Sequence, residues 1–152
     1  MIKMLKLYQI TFDVDSYEIE ILYDLLDDNI KDEIYNLDVL ASFDFDEGEN
    51  YKCFLLAEED IINNYLNILK LNNISYICKD ITKDVINNDF NIEEYVKQRM
   101  DLLEHINFYI FNQEINTWIY ENLDIDNILD RINKDGIESL REIDLQFLND
   151  SK

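Results

Sequence analysis

The chain has 152 residues, 34 of them acidic and 13 basic, for a net charge of −21; 47% are hydrophobic, two are glycine and none is proline. That length and apolar content can bury a core without disulfide or metal staples, and the scarcity of Gly and Pro excludes long flexible linkers. The charge argues against direct contact with nucleic-acid backbones or anionic membranes, leaving basic proteins or cations as the natural partners.

Lys3 to Phe12, KMLKLYQITF, reads as a central β-strand with apolar residues on both faces: Met4, Tyr8 and Ile10 on one side, Leu5 and Leu7 on the other. The start, MIKMLKL, runs into this strand without a small-residue cleavage site, so it reads as structure rather than a signal peptide. Asp15 with Glu18 predicts a helix cap. Ile19, Leu22, Tyr23, Leu26 and Ile30 then share one helical face, while Glu20, Asp24 and Asp27 form a carboxylate stripe on the other. Val39 to Phe45 and Tyr51 to Leu56 read as an antiparallel hairpin across the Gly-containing segment Asp46 to Asn50. Glu58 to Leu71 returns to helical spacing, with acidic residues in its first turn, and Asn72 and Asn73 end it. Ile74 to Ile81 supplies a fourth strand.

Strand, helix, strand, strand, helix, strand is the order of a ferredoxin-like βαββαβ unit, an α+β arrangement with both helices on one face of a four-stranded antiparallel sheet. This unit is expected over residues 1–81. Residues 82–152 are expected to form a C-terminal helical extension packed on the second sheet face, completing one compact domain. Asn91 with Glu94 predicts a cap for a helix carrying Ile92, Tyr95, Val96, Met100 and Leu103. Phe108 to Phe111 is a dense aromatic stretch, and Ile115, Trp118 and Ile119 continue a helical face. Asp124 is the expected cap of a helix carrying Ile128, Leu129 and Ile132, which Gly136 stops. Ser139 with Glu142 predicts the last cap. The charge is spread over both parts, −12 in residues 1–81 and −9 in residues 82–152.

The segment from Ile125 to Lys152 resembles a short C-terminal module of Bacteroidetes-type bacteria, found after rhomboid-like membrane proteins and in small uncharacterised cytosolic proteins. Ile128, Leu129, Ile132, Gly136, Leu140, Phe147 and Leu148 carry the resemblance, which covers under a fifth of the chain. No catalytic activity follows from it, and the pattern itself reads as two short helices folded around a glycine.

Chemical motifs are sparse. His105 is the single histidine, and general-base work needs a partner in reach. Cys53 and Cys78 lie in expected strands, where a buried thiol is inert; two cysteines so far apart suggest neither a disulfide framework nor a zinc site, and a reducing, cytoplasmic setting is expected. Asn133, Asp135, Gly136 and Glu142 match positions of a calcium loop, but Arg131 stands where its first carboxylate is required. No nucleotide or zinc motif occurs. No catalytic residue, metal ligand or cofactor is therefore expected.

Two acidic segments stand out. Residues 13–33 hold nine carboxylates and one lysine, and residues 44–60 hold seven and one. They point to a non-enzymatic acidic module, such as an immunity or inhibitor protein that masks a basic partner, with Glu20, Asp24, Asp27, Asp46, Glu47 and Glu49 as contact residues. The alternative is a self-associating adaptor, a homo-oligomer, or a small-ligand regulatory domain.

Overall fold

The computed structural model describes residues 4–100 and 106–152, and the chain divides into two units, residues 1–81 and 82–152. The first is a mixed α+β unit. Its strands β1 (Leu5–Phe12), β2 (Ala41–Glu47), β3 (Asn50–Glu58) and β4 (Tyr76–Asp80) form one antiparallel sheet in the order β2-β3-β1-β4. The apolar first strand thus lies between β3 and β4, with ladder partners on both sides. Lys3, the expected first residue of that strand, lies outside the described residues.

Strand period sorts the side chains of β1. Tyr8, Ile10 and Phe12 point to the face on which Ile19, Tyr65 and Leu69 also pack. Leu7 is fully buried on the opposite face, where register places it across from Leu56. Phe43, Phe45 and Phe54 continue that second face, with ring centroids 6.0–6.2 Å apart along the row. Both faces of the sheet are therefore apolar.

The hairpin is tighter than its sequence suggests: Glu47 pairs with Asn50, leaving Gly48 and Glu49 as the loop. Gly48 has φ +63°, the positive angle that the first central position of a two-residue II′ hairpin demands. Helix α3 (Glu59–Leu71) ends as expected at Asn72 and Asn73. Asn73 takes φ +60°, Ile74 N–H donates to the Leu69 carbonyl at 2.9 Å and Asn73 N–H to the Lys70 carbonyl at 3.2 Å. That is a Schellman closure, with Leu69 and Ile74 sharing the core.

One expected helix is two. The Asp15 carboxylate caps α1 (Ser16–Asp24) by accepting from Glu18 N–H at 3.0 Å. The chain then breaks at Leu25 and restarts as α2 (Asp28–Tyr35), with Asp27 at its N-cap. The break lets Ile34 and Leu37 reach the core that Leu22 and Tyr23 also touch, which a straight helix through Ile30 would not.

The second unit is helical: α4 (Thr82–Ile86), α5 (Ile92–Lys97), α6 (Ile106–Asn122), α7 (Ile125–Asp135) and α8 (Glu142–Asp150). Asn91 and Asp124 act as the expected caps, accepting from Glu94 N–H at 3.1 Å and Asp126 N–H at 2.8 Å. Helix α5 ends at Lys97, before Met100; Leu103 and His105 lie outside the described residues. Phe108, Phe111, Ile115, Trp118 and Ile119 all belong to α6 and are buried, whereas Tyr109 is exposed.

Gly136 ends α7 at φ +84°, ψ 165°, a conformation open essentially to glycine alone, and a Cβ there would stand 2.8 Å from Glu138 Oε2. The predicted Ser139 cap is displaced. Ser139 sits in a 3-10 turn (Ile137–Ser139), its hydroxyl donating to the Gly136 carbonyl at 2.7 Å. Arg141 is the N-cap residue of α8 instead, its N–H donating to Asp144 Oδ2 at 2.9 Å.

Candidate functional site

Helix α1 is apolar on two sides. Ile19, Leu22 and Tyr23 turn into the core. Tyr17 and Ile21, with the C-cap residue Leu25, spaced i, i+4 and i+8, stand 71%, 44% and 78% exposed. At 3.6 residues per turn these three make one continuous outward stripe. Glu18 borders it on one side and Glu20 and Asp24 on the other, all exposed. An acid-flanked apolar stripe of this kind presents two complementary handles, contact area in the middle and charge at the rim.

The six expected contact residues fall into different roles. Glu20 and Asp24 lie on α1 beside the stripe, and Asp27 sits in the break after it, so the three do not form one helical row. Asp46 is structural: its carboxylate accepts from Ser16 N–H at 2.8 Å and from Ser16 Oγ at 2.6 Å. Those bonds fasten the β2–β3 hairpin to the first turn of α1 and bring the two acidic segments together. Asn50 Nδ2 donating to the Phe12 carbonyl at 2.7 Å and Tyr51 N–H to that of Val14 at 2.8 Å reinforce the junction. Glu47 is half-buried and pairs with Lys52 at 3.2 Å. Glu49 is exposed at the hairpin tip.

A second feature of the same unit is a groove of about 320 Å³. Its apolar walls are Ile34, Leu37 and Val39 on one side and Ile61, Ile62 and Tyr65 of α3 on the other. Its floor is sheet. Register pairs Ser42 with Leu55 and Asp44 with Cys53, so these β2 residues share the face on which Cys53 and Leu55 pack. Ser42 and Asp44 are nonetheless exposed, because the groove opens over the edge strand. The Tyr51 hydroxyl donates to Asp44 Oδ2, and the Tyr23 and Tyr65 hydroxyls bond to each other nearby.

Burial sets the protonation of these groups. It raises the Tyr51 and Tyr65 hydroxyls above their ordinary range, with neighbouring acidic groups adding to the shift. Burial likewise takes Tyr23 to about 12 and the Cys53 thiol to about 12. At neutral pH Cys53 is a thiol, not the thiolate that nucleophilic chemistry needs. Cys78, also raised by burial, flanks Ile10 from the other side of β1. Two strand spacings, roughly 9–10 Å, separate the cysteines, beyond disulfide reach.

The second unit holds a different polar cluster. Asp144, fully buried, accepts from Arg131 at 2.8 and 3.1 Å and from Arg141 Nε at 3.0 Å. Arg141 also donates to the Val85 and Ile86 carbonyls at 2.7 and 2.6 Å, closing the C-terminal end of α4. Burial pushes the Asp144 carboxyl up, but the two guanidinium groups and the Arg141 N–H outweigh it and hold the pKa at about 2. Arg131 and Asp135 lie on α7 and Glu142 opens α8, so the calcium-loop residues belong to helices and their connection. Among the described residues no group of three His, Cys, Asp or Glu side chains is placed to hold a metal ion, and no helix is long and apolar enough to cross a membrane.

Tyr17, Ile21 and Leu25 escaped the sequence reading because the period that marks a core face was already satisfied by Ile19, Leu22 and Tyr23. The signal was present as a second apolar stripe on one helix. The groove had no comparable signal, since it depends on the β2–β3 register and on the break before α2. No protein-family model, curated protein or solved structure matches this chain.

Proposed function

We propose that the chain is a non-enzymatic docking module of the immunity or inhibitor kind, which captures a basic amphipathic segment of a partner protein on the outward face of α1. The observation that carries this reading is the Tyr17–Ile21–Leu25 stripe set between Glu18 on one side and Glu20 and Asp24 on the other. Fully burying an aliphatic side chain is worth roughly 1.5–3 kcal/mol, whereas exposed ion pairs are worth about 0–1 kcal/mol each. The stripe therefore supplies affinity, and the carboxylates supply steering and selection against acidic partners. Unit one is read as a ferredoxin-like scaffold with α2 inserted after the first helix; the strand order β2-β3-β1-β4 supports that reading. The two free cysteines are compatible with a reducing cytosolic setting.

A synthetic helical peptide with leucines at i, i+4 and i+8 and flanking lysines serves as the probe. The triple variant Glu20→Lys, Asp24→Lys, Glu49→Lys leaves Asp46 and its bonds to Ser16 in place. It is expected to slow association at least tenfold in stopped-flow at low salt, with an unchanged melting temperature, and the wild-type rate is expected to fall steeply with ionic strength. An association rate unchanged in the variant overturns the reading. So does a stable, salt-insensitive dimer on size exclusion that buries α1, which would favour the self-associating adaptor.

A further inference from the structure

We infer that the groove between α2, α3 and the β2 edge binds a small organic cation, an ammonium group carried on a compact hydrocarbon or aromatic body. Its volume of about 320 Å³ falls at the lower end of the roughly 300–1,000 Å³ typical of ligand sites. The walls supplied by Ile34, Leu37, Val39, Ile61 and Ile62 suit an apolar body.

The polar chemistry of the groove is one-sided. Asp44 presents a carboxylate at the rim, the Tyr51 hydroxyl has its proton committed to that carboxylate and, besides its bond with the Cys53 thiol, keeps acceptor capacity, and Ser42 adds a hydroxyl. Among the described residues no lysine, arginine or histidine lines the groove. An ammonium ion brings three donors to these acceptors. A carboxylate-bearing ligand of the same shape would meet Asp44 head on and lose its hydration without a partner. The protein's net negative charge draws a cation toward the site in addition. The Cys53 thiol that lines the groove keeps its proton at neutral pH, and the role inferred for the site is ligand binding. This inference does not depend on docking at α1, since none of Tyr17, Ile21 and Leu25 lines the groove.

The test is a calorimetric titration of the full chain with four probes: cyclohexylmethylammonium, cyclohexylmethanol, cyclohexanecarboxylate and methylammonium. Methyl NMR shifts of Val39, Ile61 and Ile62 locate the binding. The first probe is expected to bind at least tenfold more tightly than each of the others, to shift those three methyl groups, and to lose at least tenfold in affinity in Asp44→Asn. The exposed position of Asp44 makes that variant a mild one, and far-UV circular dichroism checks its fold. Val39→Trp, which fills the groove, is a second variant expected to abolish the methyl shifts. Equal binding of methylammonium would reduce the effect to surface charge, and equal binding of the alcohol would reduce it to an apolar hollow; each overturns the inference. So do ligand shifts elsewhere in the chain, or no saturable binding below about 10 mM.

Discussion

In unit one, the polar side chains at the helix-facing core beside the groove are uncharged: Tyr23 and Tyr65 hydroxyls meet each other, and Cys53 keeps its proton. In unit two a full carboxylate, Asp144, is buried between two guanidinium groups. The first arrangement costs little to form and little to perturb, because each neutral hydroxyl needs a single partner. The second depends above all on the carboxylate, because its removal leaves two largely buried guanidinium groups without their counter-charge, whereas loss of one arginine still leaves a paired carboxylate. One unit can therefore tolerate change at its groove, while the other is locked at the junction of α4, α7 and α8.

The largest expected effect breaks the lock. Asp144→Ala strands Arg131 and Arg141 and should cost about 3–5 kcal/mol of unfolding free energy in a urea titration; a loss below about 1 kcal/mol would mean that the cluster is not what joins these helices. Acid should act on the same group more gently. Its folded pKa of about 2 lies below the unfolded value of 3.8, so its contribution is complete above about pH 4 and is lost as the pH falls toward 2. That contribution amounts to about 2 kcal/mol, and the difference between wild type and Asp144→Ala should narrow by that amount across the interval.

The smallest expected effect falls in unit one. Tyr65→Phe removes one hydroxyl–hydroxyl bond and should cost about 1 kcal/mol. The tyrosine network also has an alkaline signature of opposite sign to that of Asp144. Tyr23 titrates near 12 when folded against 10 when unfolded, so its stabilising contribution is intact below pH 10 and disappears as the pH rises through 12. Absorbance at alkaline pH should show Tyr23 ionising late, and an ordinary titration near pH 10 in the folded protein would refute its burial.

Much of the local structure of both units was legible because its cues are local. The β1 run, the Gly48 hairpin and the Asp15, Asn91 and Asp124 caps each depend on residues within a few positions of one another. The break between α1 and α2 was hidden because neither glycine nor proline marks it; it comes from tertiary packing of Ile34 and Leu37. Arg141 was hidden for a similar reason, since its carbonyl partners Val85 and Ile86 lie more than fifty residues away. In the sequence the Asp46 carboxylate looks like any other, and only the fold sets Ser16 against it.

The outward face of α1 is the surface on which the proposed docking stands or falls. Amide NMR shifts of the full chain, titrated with the lysine-flanked amphipathic peptide at about 0.15 M salt, should be largest over residues 16–28, should saturate, and should vanish in Ile21→Ser, Leu25→Ser, which alters no charge. Shifts scattered over acidic residues of both units, or undiminished binding by that double variant, would contradict it.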